Sequence, residues 1–288
     1  MKKLIFIIKY GLALLLLSFY SCESWLNVTP SDRLSEEMLF NDREGFVKAL
    51  NGVYIELNTN ELYGRNLTAG ALDVMGQYYS VASSSHAFYN YGGLVYTGND
   101  EKALFDNMWQ KCYAVIACCN TIIEKCDENK AGLSPVWKGS IKGEALALRA
   151  MLHFDMLRLF GPLTSELDKE SIPYQTNSDQ TVTPLLSGSE VIGLILDDLK
   201  NAVGLLKDTD PYFVEEEFSD TDLNYRRFRM NYFAAKGLMA RVQLWGGDKE
   251  KAAITAKEVI AEGQAEGAEF FPFVTNSEAT SSNPDRVF

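Results

Sequence analysis

An uncharged aromatic segment contains the residue types best suited to specific chemistry. Residues 76–97 read GQYYSVASSSHAFYNYGGLVYT and place six aromatic rings in 22 positions, against 12% overall, with no Lys, Arg, Asp or Glu. Aromatic faces pack on the apolar C–H faces of sugar rings, while sugar hydroxyls hydrogen-bond to polar groups such as an Asn amide. Aromatic rings without basic charge argue against a nucleic-acid site. The segment therefore predicts a site for an uncharged ligand such as an oligosaccharide.

The composition of this segment alone selects its candidate ligand-binding residues. They are Tyr78, Tyr79, His86, Phe88, Tyr89, Asn90 and Tyr91. The alternative for each ring is that it packs the segment against the rest of the protein. His86 and His153 are each expected to be structural rather than reactive.

Motifs that would indicate an enzyme are missing from the sequence. It contains no nucleophile elbow, phosphate-binding loop, His pair on one helix face or Cys–His arrangement. Its 39 acidic residues always offer some carboxylate pair at glycosidase spacing, so their number does not favour catalysis. A calcium loop beginning at Asp220 is disfavoured because Tyr225 replaces the required glycine. We predict a non-catalytic protein without a cofactor, with a glycoside hydrolase as an alternative.

Four cysteines follow Cys22, and three of them, Cys112, Cys119 and Cys126, recur every seven residues along one predicted helix. Neighbours in this row lie nearly two helical turns apart, too far for an unstrained disulfide. Buried free thiols packing as small hydrophobic groups are the simplest interpretation, for Cys118 as for the other three. Zinc is the alternative, but neither histidine lies at zinc-finger spacing, and we predict no metal.

The first 21 residues have the order of a secretory signal. Three lysines precede an apolar block at 11–17, and the small Ser21 stands directly before Cys22. The block is too short for a membrane-spanning helix. A bacterial signal ending on a small residue and Cys resembles a lipobox, which predicts acylation of Cys22 and stable membrane anchoring through several acyl chains. An ordinary signal followed by a free Cys22 is the alternative.

The charge of the chain limits its partners. The formal net charge is −12, and it becomes −15 once a signal with its three lysines is removed. Such a surface repels nucleic acids and anionic lipids. With 47% hydrophobic residues in 288 positions, the chain can bury a substantial core. We predict a globular exported protein without a nucleic-acid partner.

Helical periodicity dominates the remaining sequence and predicts an all-α fold. Apolar residues recur at i, i+3, i+4 and i+7 through 105–126. Similar patterns run through 43–57, 138–160, 189–206, 230–246 and 249–262. No comparable run alternates with period two, so strands are expected only as short pieces in the connections. Six helices in sequence suggest three hairpins, and the last, around its Gly-Asp turn, resembles a tetratricopeptide unit.

Five stretches together resemble the SusD/RagB family of outer-membrane nutrient-binding lipoproteins. They are the segment from Cys22 to Pro30, ALNGVY at 49–54, the Trp109 helix with Tyr113, Asn120 and Ile122-Ile123, GEALALRAMLHFDMLRLFGP at 143–162, and 234–245. Within the fourth stretch, Glu144 and Arg149 are expected to be structural, because an Arg inside a helix usually pairs with a buried carboxylate or carbonyl.

The resemblance implies a frame of tetratricopeptide-like hairpins with long irregular loops, and a role as a lid on a TonB-dependent SusC-like transporter. It also implies a surface-exposed, lipid-anchored outer-membrane protein that binds an oligosaccharide or other nutrient. The expected domains are a lipoprotein signal at 1–21, a lipid-anchored arm at 22–42 and a helical domain at 43–288, truncated at its C-terminus. A peptide-binding scaffold at the cell envelope is the alternative.

Overall fold

A computed structural model of the chain describes residues 36–179, 181–214, 217–219 and 225–264. The chain divides into two compact units, Met1–Leu39 and Phe40–Phe288. In the first unit the described part is a short helix, α1 (Glu36–Leu39). The predicted signal, the lipidation site Cys22 and the chain end after 264 lie outside the described residues, as do residues 220–224 of the disfavoured calcium loop.

Most of the described elements in the two units are helices. The elements are α1 (Glu36–Leu39), α2 (Arg43–Leu57), α3 (Ala71–Met75), α4 (Tyr89–Gly92), α5 (Asn99–Glu128), α6 (Pro135–Phe160), β1 (Glu170–Pro173), β2 (Leu185–Ser187), α7 (Gly188–Thr209), a 3-10 turn (Arg226–Phe228), α8 (Tyr232–Trp245) and α9 (Lys249–Gly263). The predicted helices are confirmed as α2 and α5 to α9, and the all-α fold class with them. Among the described residues, no helix is both long and apolar enough to cross a membrane.

Local capping signals in the sequence set the helix ends. The Asp42 side chain accepts the Gly45 N–H at 2.8 Å and starts α2. Ser187 and Glu190 form a reciprocal capping box at the start of α7, which satisfies backbone donors that have no partner within the helix. Helix α6 ends with Gly161 as its C-cap.

Helices α6 and α7 form a closely packed antiparallel hairpin, because residues of rising number on α6 meet residues of falling number on α7. A Cβ atom on Gly139 would lie 2.5 Å from Thr209 Cγ2, and one on Gly143 would lie 2.8 Å from Leu206 Cγ. Glycine at these two positions therefore permits the close approach of the helices.

Helices α8 and α9 form a second antiparallel hairpin. Thr255 Oγ1 donates to Gln243 Oε1 at 2.8 Å near the turn, and Lys236 Nζ donates to Glu262 Oε1 at 2.8 Å at the far end. Strands β1 and β2 pair antiparallel in the connection between α6 and α7, with Glu170 opposite Ser187. In the part of the chain that the structure describes, strands are thus confined to a connection, as expected.

Arg149 holds a connecting loop against the α6–α7 hairpin. Its guanidinium makes a bidentate ion pair with Asp198, with both N···O distances 2.7 Å, and donates to Asn120 Oδ1 at 2.8 Å. The Tyr174 hydroxyl donates to Asp198 at 2.6 Å. Arg149 is buried, and these hydrogen bonds join α6 to α7 and α5. The predicted structural role of Arg149 is therefore confirmed.

Glu144, five residues before Arg149 on α6, has the same kind of role. Its carboxylate accepts hydrogen bonds from Arg226, Arg229 and the Tyr54 hydroxyl. Burial alone would raise the pKa of Glu144, but the two arginines hold that pKa below its ordinary value. The cluster ties the segment before α8 to α2 and α6, so the predicted structural role of Glu144 is confirmed.

Candidate functional site

The aromatic loop, residues 76–97, lies between α3 and the long helix α5 and contains the short helix α4. Its backbone takes up left-handed conformations at Gln77 (φ 61°) and Leu94 (φ 55°). Such angles are uncommon for residues other than glycine and persist where surrounding contacts enforce them. The loop is therefore a shaped element with backbone strain near both of its ends.

Three of the predicted ligand-binding rings face solvent. Tyr78 is 81% exposed, Tyr79 51% and Tyr89 42%. Leu94 and Val95, from the same loop, are also exposed. A cluster of exposed rings and aliphatic groups on one loop is typical of a binding surface.

Two grooves adjoin two of these rings, Tyr79 and Tyr89. Tyr79, Ser80 and Val81 line both grooves. The first groove has a volume of about 440 Å³ and is also lined by Gln77, Tyr89, Asn90, Gly92, Gly93 and Val95. The second groove has a volume of about 500 Å³ and is also lined by Ala69, Val74, Ala82, Ser83, His86 and Phe88. No Asp, Glu, Lys or Arg is among these lining residues, so the uncharged character predicted from the sequence holds for both grooves.

Tyr91 differs from the other predicted residues because it is only 2% exposed. Its ring packs against Phe88, Tyr96 and Phe105 with centroid separations of 5.9, 6.2 and 6.0 Å. Burial raises the pKa of its hydroxyl to about 12. We therefore assign Tyr91 to packing: it joins the loop to α5 and has no free ring face for a ligand.

His86 and Phe88 line the second groove and also stabilise the loop. The Phe88 N–H donates to His86 Nδ1 at 3.1 Å, and the two ring centroids lie 5.7 Å apart. The Arg65 guanidinium lies 5.7 Å from the Phe88 centroid. The hydrogen bond from the Phe88 N–H gives His86 the structural role that was expected for it. The exposed His86 ring also lines the second groove.

The structure adds two polar residues, Gln77 and Glu101, that sequence reasoning did not select. Gln77 Nε2 donates to Gly92 O at 3.0 Å and to Val74 O at 3.3 Å. Asn90 Nδ2 donates to Glu101 Oε1 at 2.7 Å, and this hydrogen bond is the main cause that lowers the pKa of Glu101. A Cβ atom on Gly98 would overlap the Glu101 carboxylate. Nothing in the sequence pattern pairs Asn90 with a residue on the next helix.

His153 and the cysteines lie away from the loop. His153 Nδ1 donates to Arg149 O and its Nε2 accepts from Gln175 N–H, both at 3.0 Å, and burial lowers its pKa to about 3. His153 is thus structural, as predicted. The cysteine row at 112, 119 and 126 is fully buried, which confirms the packing interpretation for it.

The prediction for Cys118 was wrong, because it lies on the exposed side of α5. Cys118 directly precedes the buried Cys119, and adjacent residues on a helix face directions about 100° apart. Among the described residues, no group of three or more His, Cys, Asp or Glu side chains is arranged to hold a metal ion.

A third cavity, of about 320 Å³, lies beside the Glu144 cluster and is lined by Trp137, Phe218, Arg226 and Arg229 among others. Arg226 pairs with both Glu144 and Asp210. The charged groups beside this cavity therefore pair with one another and are not free to bind a ligand. We regard the aromatic loop as the better candidate site.

Comparisons with known proteins agree on one family. A SusD-like family model with the description "Starch-binding associating with outer membrane" matches residues 24–244. SusD-like protein P2 of Formosa agariphila is 26% identical over 259 residues, which cover 88% of this chain and 46% of that protein. A SusD-like protein of Bacteroides ovatus is 30% identical over 146 residues, covering 49% of this chain and 23% of the relative. This chain thus spans less than half the length of these curated relatives.

Solved structures show the same fold. A SusD-like carbohydrate binding protein from Bacteroides vulgatus superposes with a TM-score of 0.64 at 23% identity, over 83% of this chain and 47% of that one. A laminarin binding SusD-like protein superposes with a TM-score of 0.57 at 17% identity, over 76% of this chain and 43% of that one. At such identities the likeness establishes the helical architecture.

Proposed function

Since the chain belongs to the SusD-like family, we propose that it is a non-catalytic nutrient-binding protein of the outer membrane. In this proposal it binds an oligosaccharide through the aromatic loop and delivers it to a TonB-dependent SusC-like transporter. Acylated Cys22 anchors it at the cell surface. The family match supports the class of protein, and the loop supports the class of ligand.

One observation carries the ligand proposal: two exposed tyrosines, Tyr79 and Tyr89, border uncharged grooves on a loop held by the buried Tyr91 ring. Exposed aromatic rings are costly to leave in water, and they offer flat faces to the apolar side of a sugar. Tyr91 fixes the base of the loop to Phe105 of α5, with 6.0 Å between ring centroids. A supported platform loses little conformational freedom when a ligand binds, which favours affinity.

The titration of full-length ring variants with a panel of neutral oligosaccharides by calorimetry tests the ligand proposal. We expect Tyr79→Ala and Tyr89→Ala each to weaken binding about tenfold, as for a buried aromatic contact at an interface. Their melting temperatures should stay close to wild type, because both rings are largely exposed. Tyr225→Ala, which removes an exposed ring outside the loop, is the matched control and should keep full affinity. Unchanged binding in a variant lacking Tyr78, Tyr79 and Tyr89 together would refute the loop as the site.

A peptide-binding scaffold is the second candidate, and the helical hairpins are the observation that favours it. Two features argue for the oligosaccharide instead. The exposed rings lie on an irregular loop outside the hairpins, and the grooves beside them carry no charged side chain to pair with peptide termini or charged side chains.

A further inference from the structure

The two amide side chains that line the first groove have their orientations set by their protein partners. Asn90 Nδ2 meets the Glu101 carboxylate at 2.7 Å, and Gln77 Nε2 meets the Gly92 and Val74 carbonyl oxygens. An ionised carboxylate and a backbone carbonyl can only accept hydrogen bonds. Each amide must therefore turn its NH2 group towards the protein, and the opposite assignment would place two acceptors against each other.

With their NH2 groups turned towards the protein, Gln77 and Asn90 keep their carbonyl oxygens available to accept hydrogen bonds from a ligand. Within the described part of the chain, neither Gln77 Oε1 nor Asn90 Oδ1 receives a protein hydrogen bond, and both residues line the first groove with Tyr79 and Tyr89. The tyrosine and serine hydroxyls there can donate or accept. The side-chain groups of fixed polarity in the groove are thus two amide carbonyl oxygens, which can accept hydrogen bonds from the hydroxyl groups of a ligand.

We infer that the first groove selects neutral sugars over acidic ones, with Gln77 and Asn90 accepting ligand hydroxyls and Glu101 acting as a positioning residue for Asn90. This inference rests on the proposed function, since it names the class of oligosaccharide bound at the same loop. The carboxylate of a uronic acid or a sulfate group would offer only acceptors to these oxygens.

The charges near the first groove also disfavour an acidic ligand. The Glu101 carboxylate accepts the hydrogen bond from Asn90, and Asp100 precedes Glu101 in the first turn of α5. The Arg65 guanidinium covers Phe88, which lines the second groove. An anionic sugar in the first groove would meet negative charge without a lining cation to compensate for lost hydration.

The test uses the full-length protein and two variants that remove one negative charge each. Glu101→Gln replaces the partner of Asn90 by an amide that can also donate, so the Asn90 side chain is free to turn. Asp100→Asn, the matched control, makes the same charge change one residue earlier and leaves that hydrogen bond intact. The probes are maltohexaose, laminarihexaose and an array of neutral glycans, compared with hexagalacturonate and sulfated oligosaccharides.

We expect the wild type to bind a neutral glycan at least about tenfold more tightly than any acidic one. Glu101→Gln should weaken neutral binding about fivefold, the equivalent of one hydrogen bond, whereas Asp100→Asn should change it less than about twofold. In an Asn90→Ala background, Glu101→Gln should have no further effect. Thermal melts of all variants identify any loss caused by unfolding.

Equal effects of Glu101→Gln and Asp100→Asn would overturn the positioning role. Preferential binding of an acidic glycan would overturn the selectivity, and if Tyr79→Ala abolished that binding the loop would still be the site. Glycan binding that is insensitive to every exposed ring of the loop would refute the proposed function itself.

Discussion

Truncation of Tyr91 tests whether the buried ring of this residue holds the aromatic loop in place. In Tyr91→Ala the loop loses the ring that packs between Phe88, Tyr96 and Phe105. Because Tyr91 is 2% exposed, the change opens a cavity where the loop meets α5. Removal of the Tyr91 ring should therefore reduce the free energy of unfolding and leave the exposed binding rings in place.

The size of the effect follows from the burial of the ring. Removal of a fully buried aromatic side chain typically costs about 3–5 kcal/mol, which for a chain of this length lowers the melting temperature on the order of 10 °C. Tyr91→Phe keeps the ring and loses only the hydroxyl, which donates to Asp100 O at a long 3.5 Å. That variant should lose less than about 1 kcal/mol. Tyr78→Ala removes an 81% exposed ring and should change stability by no more than about 0.5 kcal/mol.

Urea unfolding of these three variants and of Tyr79→Ala beside the wild type measures the differences directly. Calorimetric titration of the same samples reports oligosaccharide affinity. Tyr91→Ala should lose mainly stability, and Tyr79→Ala should lose mainly affinity. If Tyr91→Ala unfolded at the same urea concentration as the wild type, the packing role assigned to Tyr91 would be refuted. Equal destabilisation by Tyr91→Phe and Tyr91→Ala would show that the hydroxyl rather than the ring holds the loop.

Three further predictions concern the anchor, the partner and one buried histidine. Metabolic labelling with a fatty-acid probe should mark the wild type and not Cys22→Ser, and label retained by the variant would contradict acylation at that residue. Affinity purification of the full-length protein from outer membranes should recover a TonB-dependent transporter, identified by mass spectrometry, whereas recovery of soluble partners alone would favour the scaffold. Burial lowers the pKa of His153 to about 3, so the unfolded chain binds more protons than the folded protein between this value and about pH 6.5. The free energy of unfolding should therefore fall as pH decreases through that window, by up to about 1.4 kcal/mol per pH unit. Urea unfolding at several pH values should show a shallower pH dependence of this free energy for His153→Gln. The same pH dependence in the variant and the wild type would count against this assignment.

Much of the helical frame could be predicted from the sequence, because a helix that packs on one face needs apolar residues at a regular spacing along the chain. The apolar rows of α2 and of α5 to α9 repeat with the helical period, and the caps at Ser187 and Gly161 use local side-chain and backbone chemistry. The start of α5 is the main difference: it begins at Asn99 rather than at 105, since its first turn is polar and adds nothing to the apolar row.

The candidate site could be predicted only as a region. Composition identified the loop, because an uncharged aromatic stretch is visible in any single sequence. It could not separate Tyr91 from Tyr89, two positions away, because an irregular loop has no period that relates position to exposure. The helical turn at Tyr89–Gly92 directs one ring to the core and leaves the other 42% exposed.

The sequence by itself therefore determined the helical elements, their ends, the uncharged character of the aromatic loop and the membership of a family. The tertiary structure alone decided which rings face solvent, which way the Gln77 and Asn90 amides point, and that Glu144 pairs with Arg226, 82 residues away. The physical reason is the range of the interactions. Helix periodicity and capping act within a few residues, whereas burial and hydrogen-bond partners depend on which distant elements pack together.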